Sequence, residues 1–181
     1  STDFGETLYS DGPSVDELVA QADCVVRGRV LSTRCEWRAA EKSRYIVTVV
    51  VVRVDELVVG SAGKTLELEF LGGKIGGRTI HVTGQPEFRT GDEDVLFIQG
   101  NGRQVCPLAG MMYGRYLVAE DGGGNRLVAR SNGIPLTAIA EVAVPMTEVH
   151  PASTIQSHKQ DHGMRVGDFC AAIRGSARRQ G

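Results

Sequence analysis

Residues 1–13 are polar and end in the turn triplet Asp11-Gly12-Pro13, after which the apolar spacing turns helical. Val15, Leu18 and Val19 fall on one face, Asp16, Glu17 and Gln21 on the other. Ser14 offers an N-cap with Glu17 at the third helical position, so a short helix closing near Ala22-Asp23 is predicted as a lid on a core. From Cys24 the period becomes two. Cys24, Val26, Gly28 and Val30 share one strand face and Arg27 and Arg29 the other, and Gly28 marks a bend or bulge. The charged stretch Arg38 to Arg44 reads as an exposed hairpin loop. Tyr45 to Leu57 follows, apolar on both faces (Tyr45, Val47, Val49, Val51 against Ile46, Thr48, Val50, Val52), as a central strand requires.

Beyond the turn Gly60–Gly63, Thr65 to Leu71 alternates apolar and acidic residues, the pattern of a half-buried strand. Further strands are predicted at 78–82, 94–98, 104–108, 113–119 and 126–129, the last two joined by the hairpin Asp121-Gly122-Gly123-Gly124-Asn125. Short strands separated by glycine-rich turns, without alternating helices, predict a mainly β chain: a small antiparallel OB-like Greek-key barrel with a short N-terminal helix and a C-terminal helix. The barrel domain with its helix spans 1–132. A C-terminal extension spans 133–181, with a proline-containing polar linker and a terminal helix, 166–173, ending in the basic run Arg174 to Arg179.

Composition narrows the functional classes. At 181 residues, 41% hydrophobic and 23% charged, the chain suits one folded domain with an appendage. A net charge of -2 gives no reason to expect a phosphate backbone as partner, so nucleic acid is set aside. The longest apolar run, Ile46 to Val52, falls far short of the roughly 20 residues a spanning helix requires. The start at Ser1 fits a mature exported form, secreted or periplasmic. Cys24, Cys35, Cys106 and Cys170 lack the paired spacing of a zinc site, and their pairing is left open between disulfides and buried thiols.

Each chemical motif fails on a particular requirement. Gly60-Ser61-Ala62-Gly63-Lys64-Thr65 ends like a phosphate-binding loop, but Val58 occupies the first glycine's place and a β pattern follows where a helix is needed. Gly72-Gly73 and Gly76-Gly77 serve a wide turn or bulge as well as an anion cradle. His158 and His162 stand four apart, as in metalloproteases, but Lys159 replaces the required glutamate; with His150 they are at most a stray transition-metal trap. Glu67 and Glu69 read as a solvated strand face, and Asp92, Glu93 and Asp94 as a turn. Trp37, followed by a loop rich in Arg and Glu up to Tyr45, reads as a packed strand-end aromatic before a recognition surface. No catalytic residue, metal ligand or cofactor is assigned, and the binding residues are left unassigned.

Ala22-Asp23-Cys24-Val25-Val26-Arg27-Gly28-Arg29-Val30, then Val54-Asp55-Glu56-Leu57, Leu71-Gly72-Gly73, Phe88-Arg89-Thr90-Gly91-Asp92-Glu93 and Tyr113-Gly114-Arg115-Tyr116-Leu117-Val118 resemble uncharacterised exported bacterial domains found with matrixin-type proteases. The resemblance covers about residues 14–130 and extends, more distantly, to the netrin-module and tissue-inhibitor-of-metalloproteinases barrels. Those inhibitors chelate a protease zinc through an N-terminal cysteine, where this chain has Ser1. The all-β pattern and the absence of catalytic spacing lead to the expectation of a non-enzymatic extracytoplasmic binding or accessory module with a protein or glycan partner, protease-associated as the resemblance implies. The alternative is a small hydrolase or metal-dependent enzyme assembled from distant residues such as His81 or the His158/His162 pair.

Overall fold

A computed structural model describes residues 11–146 and 163–181. The elements are α1 (Val15–Gln21), β1 (Cys24–Ala40), β2 (Ser43–Gly60), β3 (Thr65–Leu71), β4 (Gly73–Ile75), β5 (Arg78–Ile80), β6 (Glu93–Ile98), β7 (Arg115–Glu120), β8 (Arg126–Arg130) and α2 (Val166–Gln180). Short 3-10 turns occupy Met111–Gly114 and Ile139–Ala143. The main sheet is antiparallel, ordered β3-β2-β1-β6-β7-β8, and β4-β5 form a separate ribbon.

The apolar face predicted for α1 is the buried one: Val15, Leu18 and Val19 point inward, and Ser14 Oγ accepts the Glu17 N–H at 3.1 Å. α2 lies beside it, so Phe169 and Ile173 join Val25, Phe97, Tyr116, Val128 and Leu136 in one core. Phe169 and Tyr116 rings meet with centroids 4.8 Å apart. The opposite sheet face makes a second core from Cys24, Val26, Val30, Val50, Val52, Leu68, Phe70, Leu96 and Ile98. The inward face predicted for Cys24, Val26 and Val30 holds, whereas the other face of β1 is wet only in part, because Val25 lies under the helices.

β1 and β2 are long because their registers absorb irregularities. The ladder shifts between Val25 and Val26, between Arg27 and Gly28 and again between Val30 and Ser32, leaving Leu31 without a partner residue on β2. Gly28 is required at the second shift: a Cβ there would sit 2.5 Å from the Arg53 carbonyl oxygen. Segment 105–109 ties the β3 edge to β6. Leu71 N–H donates to the Val105 carbonyl (2.8 Å), Gln99 N–H to Pro107 (3.1 Å) and Ala109 N–H to Phe97 (2.9 Å).

Several expected boundaries move. β1 runs to Ala40 and the hairpin turn shrinks to Glu41-Lys42, because the charges of Arg38 and its neighbours are satisfied across the sheet. Residues 104–108 form no strand and meet β6 only through a bridge from Leu108 to Ile98. The strand expected at 78–82 stops at Ile80, and 113 and 114 belong to a 3-10 turn. α2 continues through the basic run to Gln180, since Arg178 and Arg179 suit the negative end of a helix dipole. Among the described residues no helix is long and apolar enough to cross a membrane.

Candidate functional site

At Gly72 and Gly73 the chain leaves β3 with φ of +104° and +142° and folds over the distal half of the β1-β2 hairpin. The crossing is tight. A Cβ on Gly73 would lie 2.7 Å from both Cys35 Sγ and Thr48 Oγ1, and Thr48 Oγ1 donates to the Gly72 carbonyl at 2.8 Å. Between this crossing, the β4-β5 ribbon and the segment 85–88 lies a cleft of about 320 Å³. Val50, Phe70 and Phe88 supply apolar lining, and Thr33, Thr48, Lys74, His81 and Gln85 supply polar groups.

One wall is fixed from behind. The Phe88 ring packs on Phe70 (centroids 5.1 Å apart) and carries the Arg115 guanidinium 4.8 Å from its centroid. Arg115 is itself buried, its Nε donating to Asp94 Oδ1 at 3.1 Å and its Nη2 to Asp92 Oδ2 at 3.3 Å. Asp94 lies inside β6 at 1% exposure, and its Oδ2 has no hydrogen-bond partner among the described residues. Burial pushes its pKa up to about 6, outweighing the opposing pull of Arg115, and the Asp92 charge adds to the rise. Asp92 stays outside the strand, whereas Glu93 joins β6 one residue before the predicted start at Asp94, and Asp94 is a core group rather than a turn residue.

A second hollow of about 320 Å³ is polar and lies beside Arg29, Glu93 and Arg126. Glu93 receives Arg27 at 2.9 Å, Arg29 at 3.6 Å and Arg126. Glu56 receives Arg27 at 3.0 Å and Arg174 at 2.5 Å, which fastens α2 to β2. Arg174 first, and Arg27 with it, hold the Glu56 carboxyl below its usual range against the opposing effect of burial. These arginines are engaged by carboxylates, which makes the hollow a structural knot.

The residues singled out by sequence scatter. His81 lines the cleft, whereas His150, His158 and His162 lie outside the described residues. Trp37 sits within β1 rather than at its end, with the Arg44 guanidinium 4.3 Å from its ring. Gly72-Gly73 make the crossing, Gly76-Gly77 turn the β4-β5 ribbon, and Gly60–Lys64 link two strands. Glu67 and Glu69 are paired as well as solvated, with Arg34 at 3.3 Å and Arg38 at 3.1 Å. All four cysteines are free thiols, and burial pushes Cys106 and Cys170 up to about 11, so they remain protonated at neutral pH. Among the described residues no three His, Cys, Asp or Glu side chains gather to hold a metal ion.

Phe70, Phe88, Arg115 and Asp94 form the supported wall, and only Phe88 announced itself, as an aromatic anchor at a polar turn. No protein-family model matches the chain, and no curated protein or solved structure matches it.

Proposed function

We propose that the protein is a non-enzymatic binding module whose ligand sits in the cleft between the β1-β2 hairpin, the β4-β5 ribbon and the segment 85–88. The observation that carries this reading is the cleft's composition: apolar Val50, Phe70 and Phe88 share the lining with polar Thr33, Thr48, Lys74, His81 and Gln85. Such a site takes up an apolar or flat group and orients it through polar contacts. Its rear wall is held by the buried Arg115–Asp94 pair, so it is preorganised.

The same reading takes the curled sheet, with its 105–109 link, as an OB-like Greek-key barrel, and the sequence resemblance as pointing to a secreted or periplasmic accessory domain, of the kind associated with proteases. The partner class is protein or glycan. Titration of isotope-labelled protein with a peptide pool and, separately, with a soluble oligosaccharide pool tests this by nuclear magnetic resonance. The expected result is shifts concentrated at Thr33, Thr48, Lys74, His81 and Phe88 with either pool. Turnover of a probe, or shifts confined to the Glu93 hollow, would overturn the reading.

A further inference from the structure

Backbone hydrogen bonding follows a strict alternation in an antiparallel pair, so knowing where one residue points fixes its neighbours. Val30 exchanges bonds with the segment before β6: its N–H donates to the Asp92 carbonyl and its carbonyl accepts the Gly91 N–H, both at 2.8 Å. Past the irregularity at Leu31 the ladder resumes with Ser32 opposite Val51 and ends with Ala40 opposite Ser43, across a two-residue turn. Such a turn is closed by a hydrogen-bonded pair, which directs Ala40, Arg38, Glu36 and Arg34 toward β2. Thr33, Cys35, Trp37 and Ala39 then direct N–H and C=O away from β2. The far side of β2 agrees, since the Ile46 carbonyl, opposite Trp37, accepts the Gly72 N–H at 2.8 Å.

Among the described residues no backbone group pairs with these four; the Trp37 carbonyl has only a 3.4 Å contact from the Arg38 side chain. The other sheet edges are covered. On β3 the Asn101 side chain donates to the Glu67 carbonyl (2.7 Å) and accepts the Glu69 N–H (3.3 Å), and on β8 Arg130 and Val128 N–H groups donate to Ile134 and Met164. Open edges are ordinarily blunted by proline or by charges standing in the way of pairing. Segment 32–40 has no proline, and Arg34 and Arg38 reach back across β2 to Glu67 and Glu69, away from the open edge.

Building on the cleft reading, we propose that the ligand is an extended polypeptide segment of a partner protein that adds as a strand to the β1 edge at Thr33–Ala39 and sends an apolar side chain into the cleft. The two features meet at Thr33, which both lines the cleft and offers an unpaired backbone. Residues paired opposite Thr33 and Cys35 present their side chains to the same concave face, toward Phe70 and Phe88. Main-chain bonds would provide affinity and the cleft would select the side chain, the division of labour of strand addition.

The test is residue-resolved amide hydrogen exchange on the full chain, with a short peptide pool alternating Val and Thr around one randomised central position. An otherwise identical pool N-methylated on the pairing amides is the control. In the free protein, Thr33, Cys35, Trp37 and Ala39 amides exchange faster than those of Arg34, Glu36 and Arg38. With the pairing pool at about ten times its Kd, exchange of the four slows roughly tenfold, and the N-methylated pool has no such effect. Protection of these four amides in the free monomer, or protection that grows with protein concentration alone, overturns the proposal in favour of an edge occupied by this chain or a second copy. Shifts at His81 and Phe88 without protection of the four amides overturn it while the cleft reading stands. Absence of both responses, with a silent oligosaccharide pool, removes both.

Discussion

A methyl group on Gly73 would collide with Cys35 Sγ and Thr48 Oγ1 while the backbone holds φ at +142°. Gly73→Ala is therefore expected to lose about 1–3 kcal/mol of stability, read as a lower urea midpoint at unchanged slope, and to open the cleft crossing. Asp94 gives a signed pH dependence. Its folded pKa, about 6, lies above the ordinary 3.8, so its contribution is fully present below the latter and is lost as pH rises through about 6. Asp94→Asn removes the titrating group, so the stability difference between wild type and variant shifts against wild type between about pH 4 and 7. A pH-independent difference in urea unfolding across that window would contradict the assignment. The apolar run 95–98 placed Asp94 at the start of a compact buried strand, but its partner was not legible, because Arg115 comes from β7, distant along the chain. The faces of Val15, Leu18 and Val19 were legible for the opposite reason: helical period and cap lie within one short stretch.

At the scale of elements, charge misled where pairing is non-local. Arg38 reads as a loop residue, but with Arg34 and Glu36 it forms a charge ladder with Glu67 and Glu69 across the sheet. The uniformly apolar run of β2 was the reliable signal, since a strand covered on both faces needs no alternation. The cover of the β3 edge by Asn101 is likewise invisible to periodicity. Asn101→Ala should speed exchange of the Glu69 amide severalfold and cost about 1 kcal/mol, checked by hydrogen exchange and urea unfolding of the same samples. α2 outran its expected end because Arg174 and Arg179 find Glu56 and Asp16 on other elements. Breaking the Arg174–Glu56 pair by Arg174→Ala is expected to cost no more than about 1 kcal/mol, the scale of a partly exposed pair, whereas Phe169→Ala, which empties a fully buried ring position, should cost about 3–5 kcal/mol in thermal or urea unfolding.

The molecule as a whole is a sheet with two cores: one under the helices, the other on its opposite face beside the cleft. Strand content and most turns were legible from period and glycine placement. The cleft was not, because Thr33, Phe70, His81 and Phe88 converge only once β3 kinks at Gly72-Gly73 and the chain recrosses the hairpin. That the cleft is where a partner binds is the claim everything else depends on, and Thr33 allows it to be closed without disturbing a core, being an exposed residue on its margin. The direct measurement is affinity for the alternating Val/Thr peptide pool of wild type against Thr33→Trp, by calorimetry, with the thermal midpoint of each recorded. Binding in the cleft requires at least about a tenfold loss of affinity, roughly 1.4 kcal/mol, with the midpoint unchanged; equal affinity in the plugged variant would place the partner elsewhere.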